Sequence, residues 1–297
     1  MKKIIILIII LLLTGCNSYI ELNDLGIIQI IGLEKIDNNY KLTTSIIEKV
    51  DEDTNPIISI YNIEGNTIPE LFNKLSLSLN KKIYLSHLDT LIINDSIKTN
   101  ELENIINFFL NNNESRNDFL IITTNDISNI INNTKSENIT DLVKLNEKEN
   151  SQSIYTTMYD LINNYYNKKP IYLTNIKYQD KLFINGITII EHNKHIQIDE
   201  DKSIIINYLL NNINTYKINF RCDNNKFLYL NILSSNTNYL NNKLLITNEI
   251  KVITNDCNLN KDKINKTINN YLKDNLKEFT NKKLTINNTI RGIYENK

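Results

Sequence analysis

Few side chains in this 297-residue sequence could do chemistry. The histidines are His87, His192 and His195. His192 and His195 have the H-x-x-H spacing of a zinc pair, but no Cys or further His stands nearby to complete a tetrahedral set. They fall on a turn signal, so a solvated turn is the expected reading and no metal is assigned. Ser86, His87 and Asp89 crowd together in sequence. A catalytic triad draws its members from distant parts of a chain, so His87 reads as a structural or interface residue. Glu48, Asp51, Glu52 and Asp53 cluster at a strand end without the Gly and closing Glu of a calcium loop. The six glycines form neither GxGxxG nor a phosphate loop. No catalytic residue and no cofactor is therefore assigned, and the chain is expected not to be an enzyme.

The remaining reactive side chains are cysteines, and the first is the most informative. Lys2 and Lys3 precede an unbroken apolar run, Ile4 to Leu13, which is too short to span a bilayer and fits a signal-peptide core. The run ends in Leu13-Thr14-Gly15-Cys16, which looks like a bacterial lipobox. In that chemistry the Cys16 sulfur takes a diacylglyceryl group, cleavage follows before Cys16, and its new amine is acylated (palmitate is typical). More than one acyl chain gives stable anchoring, where a single chain would be marginal. Residues 1–15 are thus expected to be a signal peptide, and the mature chain to be an extracytoplasmic, membrane-anchored lipoprotein. Cys222 and Cys257 remain. An oxidising compartment permits a disulfide between them; two buried free thiols are the alternative.

Composition narrows the partners. Lys and Arg total 33 against 34 Asp and Glu, and this near-neutral charge argues against a nucleic-acid binder, which needs a basic stripe. There are 54 Asn, 55 Ile and no Ala, a bias toward A/T-rich codons. The apolar residues are interleaved throughout, and at 41% they suffice for packed cores.

The elements that must position these residues alternate in type. Glu21–Gly32 has a polar start followed by an apolar strand, and further strands are expected at Tyr40–Ile47 and Pro56–Ile63. A helix follows, with Thr67 as N-cap and Glu70 three residues on in a capping-box pattern. Ile68, Leu71, Phe72, Leu75 and Leu79 give it one apolar face. A strand at 88–94, a helix from about Asn100, a strand at 118–123 and a short helix capped by Asp126 come next. Residues 132–153 are polar and read as a long loop. A helix through Met158, Leu161, Ile162 and Tyr165 leads to a strand at 171–178. Asn185-Gly186 is a turn signal, and a hairpin is expected from Ile187 to Ile198, turning at Asn193-Lys194. A helix through Ile204, Ile205, Tyr208 and Leu209 follows. Three antiparallel strands (215–222, 226–233, 243–254) then lead into one long helix over 261–283. The pattern argues for mixed α and β structure. A domain boundary is placed near residue 200, with 16–200 forming an N-terminal region of two subdomains and 201–297 a sheet-plus-helix domain.

Several segments taken in order resemble the Ger(x)C family of spore germination lipoproteins. Cys16 to Lys35 resembles the family start, with Glu21, Leu22, Asp24, Leu25, Gly32, Glu34 and Lys35 at matching positions. Lys82 to Leu88, containing Tyr84, Ser86 and His87, is similar to the family's Y-x-S-H strand. Phe108 to Phe119 keeps Glu114 and Arg116 of an R-[DN]-x-E-x-R motif. Gly186 opens a stretch similar to the family's G-[LMI]-A-V-F hairpin, with Thr188 for Ala and Ile190 for Phe. The chain is shorter than most relatives, and the Asp-x-[FL]-G-[FL]-G ending is absent. The resemblance implies an elongated α+β protein of several domains, with mixed β-sheets and flanking helices. It implies anchoring on the outer face of the spore inner membrane, assembly with the A and B subunits of a nutrient germinant receptor, and a non-enzymatic role in assembly or signalling. Two other readings stand beside it: an extracytoplasmic solute-binding lipoprotein of a transporter, and a lipid-anchored hydrolase.

Overall fold

Two kinds of apolar pattern build two different sheets. The computed structural model describes residues 24–292 apart from 50–56, 80, 192–193 and 224. The first sheet holds β1 (Leu25–Ile36), β2 (Asn39–Lys49), β3 (Ile57–Gly65), β4 (Lys82–Tyr84), β5 (Thr90–Asn94), β6 (Leu120–Thr124), β7 (Ile171–Gln179), β8 (Lys181–Glu191) and β9 (Lys194–Asp199). Its order is β3-β2-β1-β5-β6-β7-β8-β9, with the short β4 beside the start of β1. The central strands β1, β5, β6 and β7 run parallel, and antiparallel hairpins extend both edges. A parallel strand buried on both faces needs a continuous apolar run. Thr90-Leu91-Ile92-Ile93 and Leu120-Ile121-Ile122 supply such runs, and all of these residues are buried.

Helices cover both faces of this sheet. α1 (Ile68–Leu79), α2 (Thr99–Leu110) and α5 (Met158–Tyr166) share one core with Leu33, Leu42, Leu91 and Ile121. α3 (Ile127–Asn133) and α4 (Ser136–Glu149) share another with Ile30, Ile92, Ile122 and Ile176. Half of the expected capping box of α1 forms: Glu70 N–H donates to Thr67 Oγ1 at 3.3 Å, while the Glu70 carboxylate accepts from Asn66 N–H, one residue before the cap, at 2.8 Å. The bonds from Lys74 and Asn66 hold that carboxyl below its usual pKa.

The second sheet is β10 (Tyr216–Asp223), β11 (Lys226–Leu240), β12 (Lys243–Asn255) and β13 (Lys283–Arg291), in that order. Here buried and exposed residues alternate along β12 and β13, as in a sheet with one face packed and the other in water. α7 (Lys261–Leu276) covers the packed face through Ile264, Ile268, Leu272 and Leu276. α6 (Glu200–Leu209) joins the two sheets. Its Ile206 packs with Ile187, Ile189 and Ile198 of the first sheet, while Ile204, Ile205 and Tyr208 enter the second core. Asn207 sits between, wholly buried, donating to Ser151 O at 2.8 Å and Ser153 O at 3.3 Å.

Three expectations are corrected. The polar stretch 132–153 contains α4, because Ile139 and Val143, one turn apart, are buried and anchor an otherwise polar helix. Two buried apolar residues are too few to show periodicity in the sequence. Asn185-Gly186 is not a turn but lies within β8, beside a bulge at Asn175/Ile176. The chain reverses instead around Asp180, whose φ is 60°. The last helix ends at Leu276, and β13 follows as a fourth strand parallel to β12. The 192–193 part of the expected hairpin turn lies outside the described residues, although Glu191 does pair with Lys194.

Candidate functional site

The segments singled out in sequence converge on one end of the first sheet. β1 and β4 are parallel, with Leu25 opposite Lys82 and Ile27 opposite Tyr84. The loop after β4 carries Ser86, His87 and Asp89 into β5, and the loop 111–119 feeds β6. All of these lie at the N-terminal ends of parallel strands, so they share one end of the sheet. Backbone bonds tie the loops together: Leu120 N–H donates to Asp89 O at 2.9 Å, and Tyr159 N–H to Asn117 O at 2.8 Å.

The side chains at this end form paired contacts. Lys82 makes an ion pair with Glu114. Ser86 Oγ donates to the backbone oxygen of Glu114 at 2.7 Å. Arg116 donates to both carboxylate oxygens of Asp118, at 3.2 and 2.5 Å. That bond holds the Asp118 carboxyl below the usual carboxylate range. The exposed His87 ring lies against Tyr84, with centroids 5.7 Å apart. Asp89 accepts from Ser136 Oγ at 2.9 Å. Burial, then the charges of Asp118 and Asp89, raise the pKa of Tyr155. Asp24 is exposed and Leu25 half-buried at the same end, while Tyr159 is 67% exposed.

This arrangement offers contact groups rather than a nucleophile with its base. The Ser86 hydroxyl is committed to a backbone carbonyl and Asp89 to Ser136, so neither is aligned with His87. Elsewhere, Lys35 pairs with Glu101 and lies 5.1 Å from the Tyr40 ring centre. Glu34 pairs with Lys41 at 2.8 Å. Gly32 is required by packing, since a Cβ there would stand 2.2 Å from Ile127 Cγ2 of α3. Gly186 has φ +127°, and a Cβ would fall 1.9 Å from Ile198 O of β9. Both glycines therefore shape the sheet itself. His195 Nε2 is buried without a partner among the described residues, and burial lowers the pKa of this ring. Among the described residues no group of three or more His, Cys, Asp or Glu could hold a metal. Cys222 and Cys257 are joined as a disulfide, with Cα atoms 6.1 Å apart, which decides between the two readings left open by the sequence. Leu13, Thr14, Gly15, Cys16, Glu21, Asp51, Glu52, Asp53 and His192 lie outside the described residues, as does the Glu48 side chain.

Comparison with known proteins adds to this geometry. A family model described as the spore germination protein N-terminal domain matches residues 18–178. The chain belongs to the Ger(x)C family of spore germination proteins. The matched span contains every residue of the paired cluster, from Asp24 to Tyr159. Within the family, the chain is similar to spore germination protein KC of Bacillus subtilis (strain 168), at 28% identity over 165 residues, or 52% of this chain and 39% of that protein. The matched region thus spans well under half of that curated relative. The fold is that of the GerBC protein crystal structure, with a TM-score of 0.52 and 13% identity, covering 89% of this chain and 97% of that one. The Ger(x)C fold is thus shared by both sheets, although the family model reaches only into β7.

The sequence reading missed the partners within the cluster. Lys82 opens the Y-x-S-H segment without a role in it, and Asp118, Tyr155 and Tyr159 carry no motif signal. Lys82 and Asp118 stand only four and two residues from Ser86 and Arg116, but no spacing rule shows that the two loops meet. Parallel pairing of β5 with β6 brings them together.

Proposed function

We propose that this Ger(x)C protein is a lipid-anchored, non-enzymatic subunit of a spore nutrient germinant receptor. It is held by acylated Cys16 on the outer face of the spore inner membrane. It acts there with A and B subunits in assembly or signalling of germination. The observation that carries this reading is the placement of the family domain directly after the lipobox: Cys16 stands two residues before the matched region. The motif-bearing end of the first sheet is also the end where the chain emerges from that anchor. Paired Arg, Lys, Asp and Glu with exposed Tyr and His are groups that protein interfaces use for register and specificity. His87, Glu114 and Arg116 would then face a partner subunit, while Gly32 and Gly186 shape the sheet that presents them. Residues 16–200 and 201–297 would form two units sharing α6, in keeping with a first sheet that ends at Asp199 and a second that begins at Tyr216. Among the described residues no helix is long and apolar enough to cross a membrane; attachment is assigned to Cys16 on its lipobox.

Fractionation of spores and mass spectrometry of the N-terminus test the anchor. The expected product begins at acylated Cys16 and stays with the membrane, and Cys16→Ala releases it. A native chain whose N-terminus is found unacylated would refute lipid anchoring, whereas a Cys16→Ala protein of unprocessed size that stays membrane-bound would be held only by its uncleaved apolar segment.

A further inference from the structure

β3 forms an outer edge of the first sheet, and its chemistry is unlike that of the other outer strands. β9 carries Lys194 and Asp199, β10 carries Lys217 and Arg221, and β13 carries Lys283 and Arg291. Such charges are the usual protection against unwanted strand pairing. β3 reads Ile-Ile-Ser-Ile-Tyr-Asn-Ile-Glu-Gly, with no Lys, Arg or Pro, and its one charge stands near its far end. Ile57, Ile58 and Ile60 are 54%, 45% and 38% exposed. They belong to the end of the strand nearest the start of β1, because Ile58 pairs with Ile47 and Ile47 with Ile27.

We propose that this edge receives an extended, uncharged, apolar segment of a different protein on the same membrane, added as a further strand beside β3. The inference rests on the anchored reading of Cys16. Asp24 follows Cys16 by eight residues, a span of at most about 30 Å, so the apolar end of β3 works close to the bilayer. Symmetric antiparallel pairing of one edge with itself requires a two-fold axis normal to the sheet. With the strands standing along the membrane normal it would reverse β1 in the partner and point its anchor away from the bilayer, whereas a membrane-resident neighbour meets the apolar end of this edge from the same side.

The test replaces residues 57 to 61, one at a time, by p-benzoylphenylalanine in the full chain and crosslinks in spore membranes. The expected result is an adduct to one segment of one partner, with the crosslinked position moving along that segment step by step with the probe. The adduct should fall by about tenfold or more, at least 1.4 kcal/mol of binding, in an Ile58→Lys/Ile60→Lys protein that keeps its circular dichroism and membrane fraction. A doubled mass from self-crosslinking, adducts to lipid only, partners without register, or no adduct would each overturn the proposal. Mass spectrometry of the native N-terminus separates the premises: an unacylated N-terminus counts against the anchor, while the adduct in the native chain still decides the edge.

Discussion

The two sheets solve the same burial problem differently. The first is covered on both faces, so its central strands are apolar throughout and its loops are fixed by helices above and below. The second is covered on one face by α6 and α7, alternates along each strand, and is tied at one end by Cys222–Cys257. All of the family-motif residues among those described lie in the first. A two-sided sheet gives rigid strand ends on which side chains from separate loops can be held in register. The second sheet offers a polar open face instead, and its integrity rests on one stripe of α7 and a covalent tie.

That contrast predicts where damage travels. Replacing Cys222 and Cys257 by Ser should have the largest effect. Releasing a loop with a sequence separation of 35 costs about 4 kcal/mol in the chain-entropy account. Hydrogen exchange should show β11 and β12 losing protection while β5 and β6 keep theirs. Equal loss in both sheets would break the comparison. Gly186→Ala should act on the other side: its positive φ and the collision with Ile198 O predict about 3 kcal/mol of destabilisation, concentrated in β7 to β9 and read by denaturant unfolding.

A smaller effect sharpens the electrostatics of the first sheet. Lys35 gains its raised pKa first from its bond to Glu101. For Glu101, burial works against the charge, but the bonds from Lys35 and Lys98 outweigh it and lower the pKa. The depressed carboxyl contributes stability above its unfolded pKa, near 4.3, and that contribution is lost as pH falls through the folded value. The raised ammonium contributes below its unfolded pKa, near 10.4, and loses that contribution as pH rises past it. Glu101→Gln should therefore cost about 2 kcal/mol near neutral pH, with the difference from the native chain vanishing in acid. A constant difference down to the lowest pH at which both fold would assign the cost to packing.

The smallest change in stability is expected at the contact surface. Arg116 and Asp118 are both well exposed, so Arg116→Ala should alter unfolding by no more than about 1 kcal/mol. Its effect should appear in germination instead, and a silent phenotype would remove Arg116 from the interface.

Legibility in the sequence followed the same division. The apolar stripes of α1, α2 and α7 and most strands through β12 were visible in local spacing, but β4 was not, and the first half of β8 was obscured by the Asn185-Gly186 turn signal. α4 was hidden because its buried face is only Ile139 and Val143. β13 was hidden because its alternating Thr, Asn and Ile pattern follows a helix whose apolar spacing continues through Phe279. The cluster was half visible: His87, Glu114 and Arg116 came from motifs, but their partners are set by strand pairing across some thirty residues (Lys82 to Glu114), which no local pattern encodes. The disulfide was undecidable for the same reason.

The central claim, a membrane-held germination subunit working through its anchored end, meets its most direct test in spores. Nutrient-triggered germination should be measured in a strain lacking this chain and any paralogous receptor, complemented by the native chain or by Cys16→Ala. Normal growth and sporulation are expected in all strains, with germination restored by the native chain and slowed in the deletion and the Cys16→Ala strain. Germination at the native rate in the deletion strain would contradict the account.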